Sequence, residues 1–145
     1  MKSKQLNASN GQKTYALIFE TEDEVMNVLK AFAHDHRLGG SHFTAIGAFR
    51  NVTLGYFDWE KKDYKRILVD EQVEVVSLVG DITEGDDDEP KLHAHVVVAR
   101  SDGTAMGGHL LEAHVRPTLE LILIESPRHL RRKHDEESGL ALISI

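Results

Sequence analysis

The chain has 145 residues, the size of one globular domain, so a single core is expected and a multidomain enzyme is excluded. Seventeen Lys and Arg stand against 24 Asp and Glu, for a formal net charge of −7, which repels a phosphate backbone unless a local patch overrides it. No apolar run approaches the roughly 18 residues of a membrane span, and the lack of cysteine removes disulfides, thiolate zinc sites and thiol nucleophiles together, which suits a cytoplasmic protein.

Residues 1–12 (MKSKQLNASNGQ) are polar, aperiodic and without the apolar stretch of a signal peptide; they read as a flexible leader ahead of a domain spanning 13–145. Tyr15 to Glu20 is apolar and β-prone, a short buried strand. Thr21-x-x-Glu24 has the form of a capping box, and Val25, Val28, Leu29 and Phe32 then recur at i, i+3, i+4 and i+7, which predicts the main helix over about residues 22–36. His34, His36 and Arg37 favour the negative end of that helix, and Gly39-Gly40 offers a left-handed cap.

From Phe43 the pattern turns to β. FTAIGAF, NVTLGYFDW and YKRILV predict consecutive strands of an antiparallel meander, with a charged turn at Glu60-Lys61-Lys62-Asp63. VEVVSLVGDI (73–82) suits a central strand, in which Glu74 is either buried or on an exposed edge, and EGDDDEP (84–90) is a solvated acidic loop. A hairpin follows, with KLHAHVVVAR (91–100) as its first arm, Asp102-Gly103 in its turn and a return from Ala105. TLELILIE (118–125) and GLALISI (139–145) read as further strands, and Leu110 to Val115 is open to a second short helix. One main helix among strands that do not alternate with helices gives an α+β class, a single domain with a largely antiparallel β-sheet.

Nine histidines mean that a transition metal would be held by imidazole and carboxylate groups. His93 and His95 are two apart on a predicted strand and emerge from one face. His109 follows the hairpin turn, where the returning arm or its Gly107-Gly108 bend could bring a third imidazole to the pair. Three neutral imidazoles with an open position suit Zn²⁺ or another divalent transition metal, with water or an anion completing the set. The same spacing also fits hydrogen-bonded structural histidines or proton-transfer catalysis. His114 is a weaker fourth candidate, and His34, His36 and His42 belong to the helix end or to solvent. Ser77 lacks a nucleophile elbow, and the glycines match neither a P-loop nor a dinucleotide fingerprint. Arg128, Arg131, Arg132 and Lys133 are followed at once by Asp135, Glu136 and Glu137, which favours an ion-paired surface over a nucleic-acid patch.

Taken together, FTAIGAF (43–49), VEVVSLVGDI (73–82), LHAHVVVARSDGTAMGGHL (92–110), VRPTLELILIE (115–125) and R-x-x-x-D-E-E-S-G (131–139) resemble the plant and prokaryote conserved (PPC) domain, in its stand-alone prokaryotic type. The resemblance implies an α+β domain that assembles as a homotrimer. In the plant nuclear relatives DNA contact belongs to a separate AT-hook with an Arg-Gly-Arg-Pro core, which is absent here, so direct DNA binding by this chain is not expected. His93, His95 and His109 are carried over as a metal or small-ligand site. The expectation is a trimeric cytoplasmic binding module with a histidine-lined metal or small-anion pocket. Its alternatives are a metal-dependent enzyme using the same histidines, with Glu112 as a conceivable base, and a transcription-associated protein acting through protein partners.

Overall fold

Leu119, Leu121 and Leu123 are fully buried while Glu120 and Ile122 are exposed, the period-two signature of a strand with one face on a core. The computed structural model describes residues 1–145 and repeats this pattern along most of the chain. Its elements are β1 (Lys2–Ser9), β2 (Gln12–Glu20), α1 (Val25–His36), β3 (Gly40–Asp58), β4 (Asp63–Val69), β5 (Val73–Glu84), β6 (Pro90–Ala99), β7 (Ala105–Glu125), β8 (Arg131–His134) and β9 (Ala141–Ser144). Every pairing is antiparallel except a parallel contact between β5 and β8. Strands β3, β5, β6 and β7 pair in a closed cycle, because the long β3 and β7 each serve two neighbours at different points along their length. The fold is therefore mainly antiparallel sheet with a single helix.

That helix lays Val25, Leu29, Phe32 and Ala33 onto the inner face of the sheet, where they meet Leu17, Phe19, Phe43, Leu121 and Leu123 in one core. The predicted apolar stripe is borne out, but the cap is not the one expected. Glu24, rather than Thr21, is the N-cap: its carboxylate accepts from the N–H groups of Met26 (3.2 Å) and Asn27 (2.7 Å), and from that of Ala113 on β7 (3.2 Å). The helix accordingly starts at Val25, three residues later than the reading of 22–36. At its other end Arg37, not the Gly39-Gly40 pair, takes the left-handed conformation, with φ of 52°. The glycines instead pass close under the 128–129 segment, where a Cβ on Gly40 would collide with the Arg128 carbonyl.

Two further expectations are corrected. Residues 2–9, read as a leader, form β1 and pair with β2 through a turn in which Asn10 and Gly11 have φ of 51° and 82°. All eight β1 side chains are exposed. An edge strand held by its backbone ladder and an Asn-Gly turn needs no apolar face, so polar composition concealed it. Residues 110–115, left open to a second helix, lie inside β7, with Leu110, Ala113 and Val115 buried and paired to β3. The ladder continues through them because β3 supplies an antiparallel partner along this whole stretch. FTAIGAF and NVTLGYFDW are likewise one strand, β3, irregular between Ala45 and Gly47, and Glu74 is exposed.

The outer face of the sheet is not uniformly polar. Ile18, Ile46, Val76, Val79 and Ile122 are exposed there and border a groove of about 430 Å³.

Gly80 on β5 lies where the Phe43 ring from β3 and the His93 carbonyl from β6 press together, so that a Cβ would overlap both. Gly80→Ala is expected to cost about 1–3 kcal/mol by overpacking, read as a lowered urea midpoint with an unchanged slope.

Candidate metal centre

Register brings the histidines together. Across β6 and β7 His95 stands directly opposite His109, and across β5 and β6 His93 stands opposite Asp81 and His95 opposite Val79. His93 and His95 share a face, as their spacing predicts, because Ala94 between them points into the core. Of the two routes the sequence offers for His109, the returning arm is the one realised: Gly107 and Gly108 form no bend but lie in the ladder, paired with Val97 and Val96. A Cβ on Gly108 would run into the Gly55 carbonyl, so close strand approach is what this glycine provides.

One nitrogen from each of His93, His95 and His109 falls within 4.8 Å of the others. The Nε2 atoms of His93 and His95 are 3.2 Å apart. Two imidazole nitrogens on a tetrahedral Zn²⁺, each at about 2.0–2.1 Å, would stand about 3.3 Å apart, so this pair is spaced for an ion. The Nδ1 atom of His109 is buried without a hydrogen-bond partner. A buried nitrogen left unpaired costs free energy that a cation or a donor would recover. Three imidazoles without thiolate or carboxylate suit zinc and its neighbours in the first transition row. The residues present therefore fit a divalent transition metal.

The surroundings favour the neutral imidazole at His95 and His109. Burial, followed by the proximity of His93, His95 and Arg132, pushes the His109 imidazole down to about 4. Burial and the neighbouring His93 lower His95 as well. The Tyr64 ring from β4 lies over His109 at a centroid distance of 4.6 Å, and its phenol is raised by burial. Burial works against ionisation of Asp81, but its contacts with His93 and Arg132 prevail and hold its carboxyl below the usual range. A cavity of about 290 Å³ opens beside His93 and His109, bordered by Tyr64, Lys91, Arg132 and Leu142.

The other histidines stay outside the cluster. His114 contacts Asn51 Oδ1 at 3.1 Å, His36 contacts the Phe32 carbonyl at 3.0 Å, and His34 and His42 are exposed. Glu112 is half exposed and 3.6 Å from Arg66. Within the basic cluster, Arg131 pairs with Asp88 at 2.6 Å and Glu84 at 3.2 Å, and Arg132 with Asp81 at 2.7 Å. Sequence reading missed Tyr64, Asp81 and Arg132 as neighbours of the site. The alternation of β5 placed Asp81 and Val79 on one face, but only the β5–β6 register sets that face beside the histidines.

The family model for the Plants and Prokaryotes Conserved (PCC) domain matches residues 6–127. The chain belongs to this family. Solved structures agree. A metal-containing protein from Archaeoglobus fulgidus is 31% identical, with a TM-score of 0.83 over 92% of this chain and 94% of its own. A plant- and prokaryote-conserved protein from Pyrococcus horikoshii is 30% identical, with a TM-score of 0.85 over 99% of this chain and 95% of its own. A Ralstonia eutropha JMP134 protein, provisionally called DNA-binding, is 25% identical, with a TM-score of 0.86 over 98% and 96% of the two chains. No curated protein matches significantly.

Because an unfolded imidazole takes up its proton near pH 6.5 and folded His109 resists until about 4, the unfolded state holds more protons between those values. Stability then rises with pH across that window. In the presence of chelator, the melting temperature is expected to fall as pH drops from 6.5 towards 4. His109→Gln should flatten that dependence, as differential scanning calorimetry can read.

Proposed function

We propose that this PCC-domain protein is a homotrimeric metal-binding module. In this reading His93, His95 and His109 hold Zn²⁺ or a similar divalent ion, and water or a small anion takes the remaining position. The observation that carries the reading is the convergence of one nitrogen from each of three imidazoles to within 4.8 Å of the others, and His109 also keeps a buried Nδ1 without a hydrogen-bond partner. The metal-containing relative from Archaeoglobus fulgidus supports it. The adjoining cavity of about 290 Å³ gives a small anion room beside the open position. Binding is favoured over turnover because the conceivable base, Glu112, faces Arg66.

Assembly as a trimer is supported by the exposed Ile18, Ile46, Val79 and Ile122, an apolar face that a neighbouring copy would cover. Direct DNA binding is disfavoured by the net charge of −7 and by the carboxylate partners of Arg131 and Arg132. A chain without cysteine and without a helix long and apolar enough to cross a membrane suits the cytoplasm.

Elemental analysis of the untagged protein, coupled to light scattering, tests metal and assembly together. One metal per chain at trimer mass is expected, with His95→Ala losing the metal and keeping the mass. Stoichiometric metal in a His93, His95, His109 triple alanine variant would sink the site, and a concentration-independent monomer mass would sink the trimer.

Fluorescence anisotropy with a labelled duplex at physiological ionic strength is expected to show no saturable binding. Tight, salt-sensitive binding would restore DNA as a partner.

A further inference from the structure

The two shortest strands, β8 and β9, lie beyond the part of the chain that the family model covers, yet one of their side chains reaches the histidines. Arg132 is 8% exposed, and each of its three guanidinium nitrogens has an acceptor. Nε donates to Thr83 Oγ1 at 2.9 Å, Nη1 to the Ala141 carbonyl at 2.9 Å and Nη2 to Asp81 Oδ1 at 2.7 Å. One fork therefore ties β8 to β9, to β5 and to the carboxylate facing His93.

His93 Nδ1 lies between two groups of opposite character, Arg132 Nη2 at 3.4 Å and Asp81 Oδ2 at 3.6 Å. A guanidinium can only donate and a carboxylate can only accept. While His93 Nε2 is free of metal, either tautomer can be satisfied. With a cation on Nε2 the ring proton must sit on Nδ1, and only Asp81 can receive it. A carboxylate behind a metal-bound imidazole fixes its tautomer and ring orientation.

We propose that Asp81 and Arg132 are positioning residues for the metal centre. Asp81 holds His93 with Nε2 turned to the ion, and Arg132 holds Asp81 in place from the C-terminal hairpin, so that metal capture and docking of β8–β9 are coupled. This inference rests on the metal-binding reading given above. By reciprocity, whatever docks the hairpin tightens the metal, and the metal tightens the hairpin.

The sign of one substitution separates positioning from plain electrostatics. Arg132→Gln removes a positive charge beside a cation site, which by Coulomb attraction alone should strengthen binding. Positioning instead predicts weaker Zn²⁺ binding, by about 10- to 100-fold, in competition titrations against a chromophoric chelator. Asp81→Asn, close in shape, should weaken Zn²⁺ similarly. In ¹⁵N NMR of the zinc-loaded wild-type protein, His93 should carry its proton on Nδ1, in contact with Asp81. Zinc should also slow hydrogen exchange at Arg131–His134 and Ala141–Ser144 in the wild type, and by less in Asp81→Asn.

If Arg132→Gln unfolds the hairpin outright, the Asp81→Asn titration and its exchange profile decide. Equal or tighter zinc binding by folded Arg132→Gln, or wild-type affinity in Asp81→Asn, would overturn the proposal and leave the metal site standing. Failure of the wild-type protein itself to bind zinc would instead remove the metal-binding reading.

Discussion

The backbone ladder joining β5, β6 and β7 is the constraint on which the site depends. It sets His95 opposite His109 on one side and Val79 on the other, and His93 opposite Asp81. Side chains alternate with period two, so a slip of one residue between β6 and β7 would carry His109 to the core face and bring Leu110 out in its place. Register is held from the other face by Ala94, Val96, Val98 and Leu110, all buried, and each would have to reach solvent for a slip to occur. The apolar core thus acts at a distance on the histidines by deciding which way they point.

Around this ladder the chain removes bulk where strands must approach and sets charges of both signs beside His93. Gly80 and Gly108 let β3, β5, β6 and β7 close into their cycle without displacing Phe43 or the Gly55 carbonyl. Arg132 brings a permanent positive charge into a nearly dry position, which is tolerable only because Asp81, Thr83 and the Ala141 carbonyl share its donors. Its charge also helps keep His109 neutral, the form that a metal ligand requires. A group that stabilises the hairpin therefore influences the chemistry of a site built on other strands.

Much of the local structure was legible from one dimension. The stripe of Val25, Leu29 and Phe32 predicts the helix because its contacts repeat every 3.6 residues within a single element. The hairpin around Asp102-Gly103 forms as predicted, with Gly103 at φ of 82° and Arg100 bonded to Thr104 across the turn. The Asn10-Gly11 turn carried the same type of signal in a polar context, and β1 was passed over for want of apolar residues. The helix cap was misplaced because Glu24 caps with its own carboxylate and is also held by Ala113 from β7, a contact 89 positions away in sequence.

By itself the sequence determined the classes of structure and chemistry available: mainly antiparallel strands, one main amphipathic helix, and imidazole and carboxylate groups as candidate metal ligands in a chain without cysteine. It also placed His93 and His95 on one face, since that follows from strand period alone. Tertiary structure decided that a third imidazole joins the pair, that His109 keeps an unpartnered nitrogen, and that Tyr64, Asp81 and Arg132 surround the cluster. The reason is that periodicity operates within an element, whereas register between elements is set by the packing of the whole core, and a site shared by five strands exists only once that packing is complete.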